Sequence, residues 1–155
     1  NSKKIDTIED EEKIKKGIKV TDERLQSDDI LKILEKDFQD LNFKIEIDKK
    51  QSNKIRIPVL FGRKGRTAQA FEVDGWNEKN KIVLEIERGR AYANNQFLKD
   101  IFEASVMVDV DYLVLAVSNL YLGSNDFEKI FVWLDTIFIT NRIKLSLKGI
   151  LLIGY

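Results

Sequence analysis

QAFEVDGWNEKNKIVLEIERGRAYANNQFLKDIFEASVMVDVDYLVLAVS, residues 69–118, changes its hydrophobic period twice, and each change marks a new kind of element. QAFEVD (69–74) and KIVLEIE (81–87) alternate apolar and polar residues, the period of a strand, with Gly75 to Asn80 as the turn between them. From Asn94 to about Met107 the apolar residues Phe97, Leu98, Ile101, Phe102 and Val106 recur at helical spacing. DYLVLAVS (111–118) is almost continuously apolar, as a strand covered on both faces should be. Strand, helix and buried strand in succession make a crossover unit, which calls for parallel pairing.

Upstream, FKIEI (43–47) and KIRIPVLF (54–61) also alternate, with residues 48–53 as a turn. Pro58 lacks a backbone donor, so its strand belongs at an edge or a bulge. A basic, glycine-bounded loop, GRKGR (62–66), follows. The spacing thus predicts an antiparallel meander of four strands from 43 to 87. A helix is expected before it, from the caps Ser27, Asp28 and Asp29 to about Leu41, with Ile30, Leu31, Ile33, Leu34, Phe38 and Leu41 as its apolar side. Residues 1–26 are charged and sparsely apolar, a polar lead-in that is helical or loose. Downstream, Asn125 or Asp126 caps an apolar helix to about Thr140, and GILLIGY (149–155) reads as another buried strand. The expectation is one domain over 1–155 with its core in 27–155. Its class is α/β (α+β), a mixed central sheet flanked by helices.

Composition narrows the chemistry. The 155 residues include no cysteine and no histidine, which excludes disulfides, thiolate or imidazole zinc sites and every histidine-based catalytic triad. What remains is carboxylate, lysine, arginine and hydroxyl chemistry, or a metal held by oxygen. Acidic and basic residues balance at 26 each, so any attraction to phosphate must be local rather than global. No apolar run is long enough to span a bilayer, and the first residues lack the pattern of a secretory signal. A cytoplasmic protein without a membrane partner is therefore expected.

The period-two rule puts Val83, Glu85 and Glu87 on one side of their strand and Ile82, Leu84 and Ile86 on the other. Two ionised carboxylates inside a sheet require a cation, a donor network or a raised pKa. Asp74 ends the preceding strand and can come beside Glu85, so three acids converge. With no softer ligand available, Mg²⁺ or Mn²⁺ is the metal such a cluster would take. The same residues also suit a solvent-facing acidic surface, with Asp74 serving only as a turn residue beside Gly75.

The stretch from Phe71 to Tyr121 resembles the catalytic core of the PD-(D/E)xK nuclease superfamily, and within it the type II restriction endonucleases of the BamHI and BglII kind. Asp74 matches the first acid, and Glu85-Ile86-Glu87 matches the second motif, with Glu87 where most of the superfamily has lysine. The resemblance implies a restriction-endonuclease-like fold and Mg²⁺- or Mn²⁺-dependent hydrolysis of DNA phosphodiesters. The catalytic residues would be Asp74, Glu85 and Glu87, and the metal ligands Asp74, Glu85 and the carbonyl of Ile86. Glu87 would act as general base or bind a second cation. It implies duplex DNA as partner and a two-fold homodimer, each subunit cutting one strand. Glu35 and Glu72 become auxiliary acids. Arg63, Lys64, Arg66, Arg88 and Arg90 become phosphate contacts, and Asn95 a DNA-facing polar residue, while Asn94 is explained more simply as a helix cap. Trp76 and Trp133 read as packing anchors. The alternative is a degenerate domain of the same fold that binds DNA or a protein without cutting. A third reading is a structural domain with all its acids in water.

Overall fold

A computed structural model describes residues 27–46, 53–87, 89 and 91–155. The lead-in 1–26, the expected turn at 48–52, and Arg88 and Arg90 lie outside the described residues. In chain order the elements are α1 (Ser27–Asp40), β1 (Lys44–Ile45), β2 (Ile55–Phe61), β3 (Thr67–Val73), β4 (Gly75–Asn77), β5 (Ile82–Glu87), α2 (Gln96–Val106), β6 (Tyr112–Val117), α3 (Asp126–Thr140) and β7 (Gly149–Gly154).

The main sheet runs β1-β4-β5-β6-β7, antiparallel from β1 to β5 and parallel from β5 to β7. Mixed α/β architecture with helices on both sides follows from how β5 and β6 are patterned. Leu84, Ile86 and Ala116 face α1, where Ile30 and Leu31 cover them and Phe38 joins from the rim. Val83, Leu113, Leu115 and Val117 face the other way, against Phe97, Ile101 and Ala104 of α2 and Ile130 and Leu134 of α3. Two successive crossovers, through α2 and then α3, step in one direction across the sheet. That is why both helices share a side, given the single hand that such connections adopt.

Several expectations need correction. β1 does not form a hairpin with the next strand; it pairs with β4, Lys44 opposite Trp76. β2 and β3 make a separate two-stranded sheet, so the expected meander of four strands is not formed. Alternation sets which side a residue faces but not which strand lies beside it. Gly75 does not open a turn either. It is buried inside β4, where an added Cβ would lie 3.1 Å from Ile45 and from Leu84, so glycine is there for close packing. The turn comes later, and Asn77 shapes it by accepting from the Asn80 N–H at 3.0 Å while donating to the Leu41 carbonyl. Nor is β7 buried. It is the outermost strand of the sheet among the described residues, with Leu151 57% and Ile153 42% exposed.

Other details follow local chemistry. The β2–β3 register shifts next to Pro58, whose carbonyl accepts from Val108 N–H instead. Asn125 caps α3 by accepting from Glu128 N–H. Trp76 is in the core, and Trp133 packs edge-on against Phe97. No helix among the described residues is long and apolar enough to cross a membrane.

Candidate active site

The site is built on β5. Glu85 and Glu87 share the side of Val83, and their parallel partners on β6 are Leu115 and Val117, both fully buried. The carboxylates thus stand beside hydrocarbon. α2 closes over them: Phe97, Asp100, Ile101 and Ala104 form its buried stripe. Because α2 returns antiparallel to β5, Asp100 in its second turn comes over the carboxyl end of the strand, and Glu103 lies further back.

Asp74 enters from the side. It sits at the bend between β3 and β4, where its carbonyl accepts from Glu46 N–H and its carboxylate accepts from Ile86 N–H at 2.8 Å. Backbone pairing of β4 with β5 begins only at Gly75 and Leu84. Beyond that point the Asp74 side chain supplies the acceptor that a paired strand would have provided. This hydrogen bond fixes the carboxylate next to Glu85 and Glu87.

Crowding acids in a dry place has an electrostatic signature. Burial pushes Glu85 well above the usual carboxylate range, and Asp74, Asp100, Glu87 and Glu103 add repulsion. Burial also lifts Glu87 to about 8, helped by Asp100 and Asp74 and opposed by Lys99. Asp100 rises to about 7 through burial, against the Gln96 hydrogen bond and Lys99. Burial and mutual repulsion together make the three groups resist ionising.

The sequence expectations sort as follows. The structure brings Asp74, Glu85 and Glu87 together around the Ile86 backbone. Glu35 is elsewhere: α1 covers the opposite side of the sheet, and Glu35 accepts from Gln39. Glu72 is on the separate hairpin, paired with Arg56 at 2.9 Å and Lys54 at 3.5 Å, which hold its carboxyl below the usual range. Arg63, Lys64 and Arg66 are exposed at the tip of that hairpin, where Arg63–Gly65 forms a short 3₁₀ turn with Lys64 at φ +61°. Asn95 is exposed and precedes α2 at φ +54° without a side-chain cap. The helix begins at Gln96, so Asn94 is not its cap.

Asp100 is the residue that sequence reasoning missed. It is 4% exposed; Gln96 donates to its Oδ1 at 3.0 Å, and its Oδ2 has no hydrogen-bond partner. A signal was present. Phe97, Asp100, Ile101 and Ala104 follow the i, i+3, i+4, i+7 rule, while Phe102 and Val106 of the expected stripe are 56% and 55% exposed.

Two observations limit the site. No three acidic side chains among the described residues are gathered closely enough to hold a cation by themselves. The open groove of about 680 Å³ beside β2 and β4 is lined by Lys44, Lys54, Arg56 and Lys81, but not by these acids. Each of those cations is paired, with Glu78, Glu46, Glu72 and Asp109 respectively, so the groove offers phosphate little net charge. No family profile, curated protein or solved structure matches the chain.

Proposed function

We propose that the chain is the catalytic core of a metal-dependent endonuclease acting on duplex DNA, of restriction-endonuclease-like fold and cytoplasmic. The observation that carries this reading is Glu85 and Glu87 side by side between Leu115, Val117 and α2, with Asp74 held against them. Carboxylates held in a dry cleft with raised pKa are typical of a working site rather than a wet surface. All available donors are hard oxygens, which suits Mg²⁺ or Mn²⁺. The partnerless Asp100 Oδ2 and the mutual repulsion fit a missing divalent charge.

Asp74, Glu85 and the Ile86 carbonyl would hold the metal, which supplies Lewis-acid polarisation of a phosphate oxygen and a water. Glu87, lifted to about 8 by burial, would act as general base toward the attacking water or bind a second cation. Ile86 N–H keeps the Asp74 carboxylate in place. Tyr155 donates to the Glu87 carbonyl at 3.1 Å and steadies the end of β5. Arg63, Lys64 and Arg66 are exposed and able to meet the phosphate backbone. The two-fold homodimer belongs to the same reading. It is supported by β7, the outermost strand among the described residues, bordered by Leu151 and Ile153 and, on α3, by half-exposed Phe131 and Phe138.

The second reading, a domain that binds without cutting, is favoured by the absence of a ready-made cation cage among the described residues. Supercoiled plasmid separates the two. Incubation with Mg²⁺, Mn²⁺ or EDTA should give metal-dependent cutting that is lost in Asp74→Ala and in Glu85→Ala. Equal inactivity of all three proteins, with DNA still bound, selects the binding domain.

A further inference from the structure

We propose that the projecting half of the β2–β3 ribbon enters the major groove of duplex DNA, with Gln69 as the side chain that reads a base. The inference rests on the proposed endonuclease reading for DNA as the partner, and adds to it the element that selects sequence.

The first argument is projection. Near the body, Ile57 and Val73 are buried in the core and Phe71 packs against it. Further out the ribbon stands clear: every residue from Leu60 to Gln69 is exposed, including Leu60 at 59% and Phe61 at 50%. β3 then continues from Thr67–Val73 into Asp74. Extended chain from Gln69 to Asp74 spans roughly 17 Å. That is about five base-pair steps, so one duplex can meet both.

The second argument is charge. No acid occurs from residue 57 to residue 71, and Arg63, Lys64 and Arg66 have no acidic partner among the described residues. The cations of the groove beside β2 and β4 are, by contrast, all paired. A chain of zero net charge therefore carries an unopposed positive tip, and the tip is complementary to phosphate.

The third argument is the chemistry behind that tip. By the pleat, Thr67 and Gln69 share one side of β3, the side that Phe71 and Val73 turn to the core, and Ala68 and Ala70 share the other. The alanine side is thin, with an open trough of about 580 Å³ bordered by Arg56, Pro58, Ala68 and Ala70. Glu72, at the inner end of this trough, is neutralised by Arg56 at 2.9 Å. The Gln69 amide is exposed and makes no side-chain hydrogen bond among the described residues, so its donor and acceptor are both available. The major groove of B-DNA admits a two-stranded ribbon, and there a glutamine can pair with both edge atoms of an adenine. Duplex RNA offers no equivalent, because its major groove is too narrow for side chains.

The test is selection from a pool of randomised 20-base-pair DNA duplexes, with Ca²⁺ in place of Mg²⁺ so that bound DNA is not cut. Wild type should enrich a motif containing an adenine that Gln69→Ala no longer selects, with affinity for the wild-type motif down by about fivefold or more. Gln69→Glu, which keeps the size but loses the amide donors, should lose the same adenine. The triple change Arg63→Ala, Lys64→Ala and Arg66→Ala should weaken binding to all sequences alike and leave the motif intact. Melting confirms that each variant is folded. No enriched motif in wild type overturns the proposal, as does an unchanged motif in Gln69→Ala, or duplex RNA competing as well as DNA. Plasmid cutting in Mg²⁺ by a wild type whose motif survives Gln69→Ala removes the reader and leaves the endonuclease. A motif that depends on Gln69, without any cutting, leaves the reader and removes the endonuclease.

Discussion

The two sides of β5 are built from adjacent residues and obey different physics. On one side Leu84 and Ile86 meet Ile30 and Leu31 of α1 and do nothing but exclude water. On the other, half-buried Glu85 and Glu87 lie between β6 and α2 on the side covered by the helix that carries Asp100. One side holds the fold together. The other is loaded against it, because burial and mutual repulsion disfavour the charged forms. Stability and the proposed function are thus separated by a single residue step along one strand, and on that reading the scaffold tolerates a local cost where chemistry would be done.

Substitutions can break that contrast. The largest effect should come from the dry side: Leu84→Ala, at a position 1% exposed, should cost about 2–5 kcal/mol in urea unfolding, with and without metal alike. Glu85→Gln should act in the opposite direction. In EDTA at pH 8 its melting temperature should exceed wild type by roughly 4 °C or more, since a neutral amide removes both repulsion and the cost of burying charge. Added Mg²⁺ should raise the wild-type value and leave the variant nearly unmoved.

Acidity sharpens the same point. Glu87 and Asp100 have folded pKa values of about 8 and about 7, against ordinary values of 4.5 and 3.8. Through that window the folded state binds more protons than the unfolded state, so metal-free stability falls as pH rises. The contribution is complete below about pH 4 and gone above about pH 8; Glu87→Gln should flatten the slope, as read by melting curves across pH. A smaller effect belongs to the far helix, where Asn125→Ala should cost about 1 kcal/mol by removing the cap on Glu128 N–H. Smallest for stability is the triple change Arg63→Ala, Lys64→Ala and Arg66→Ala. It should leave melting unaltered and reduce the salt dependence of DNA binding.

The division between Glu85/Glu87 and Leu84/Ile86 was legible in the sequence because strand geometry has a strict period of two. The crossover order of β5, α2, β6, α3 and β7 was legible for a similar reason, since long apolar runs alternated with helical spacing. Pairing was less so. Nothing local in Lys44–Ile45 says that its neighbour is β4, a contact made across a gap in sequence that holds β2 and β3. Asp100 was hidden by its own polarity, because a hydrophobic stripe is traced through apolar residues and an acid within it is passed over. The place of Asp74 at the end of a strand was readable, but its bond to the Ile86 amide was not, since that depends on where two strands part.

That bond also turns one peptide group into an instrument. The amide proton of Ile86 points at a carboxylate oxygen, while its own carbonyl belongs to the residue assigned to the metal. Its nitrogen–proton resonance will therefore move when the charge on Asp74 is screened, shared or neutralised, even if no atom of the backbone is displaced. A single isotope-labelled isoleucine signal can follow the electrostatic state of the cleft in real time, from inside the sheet and without a probe being attached.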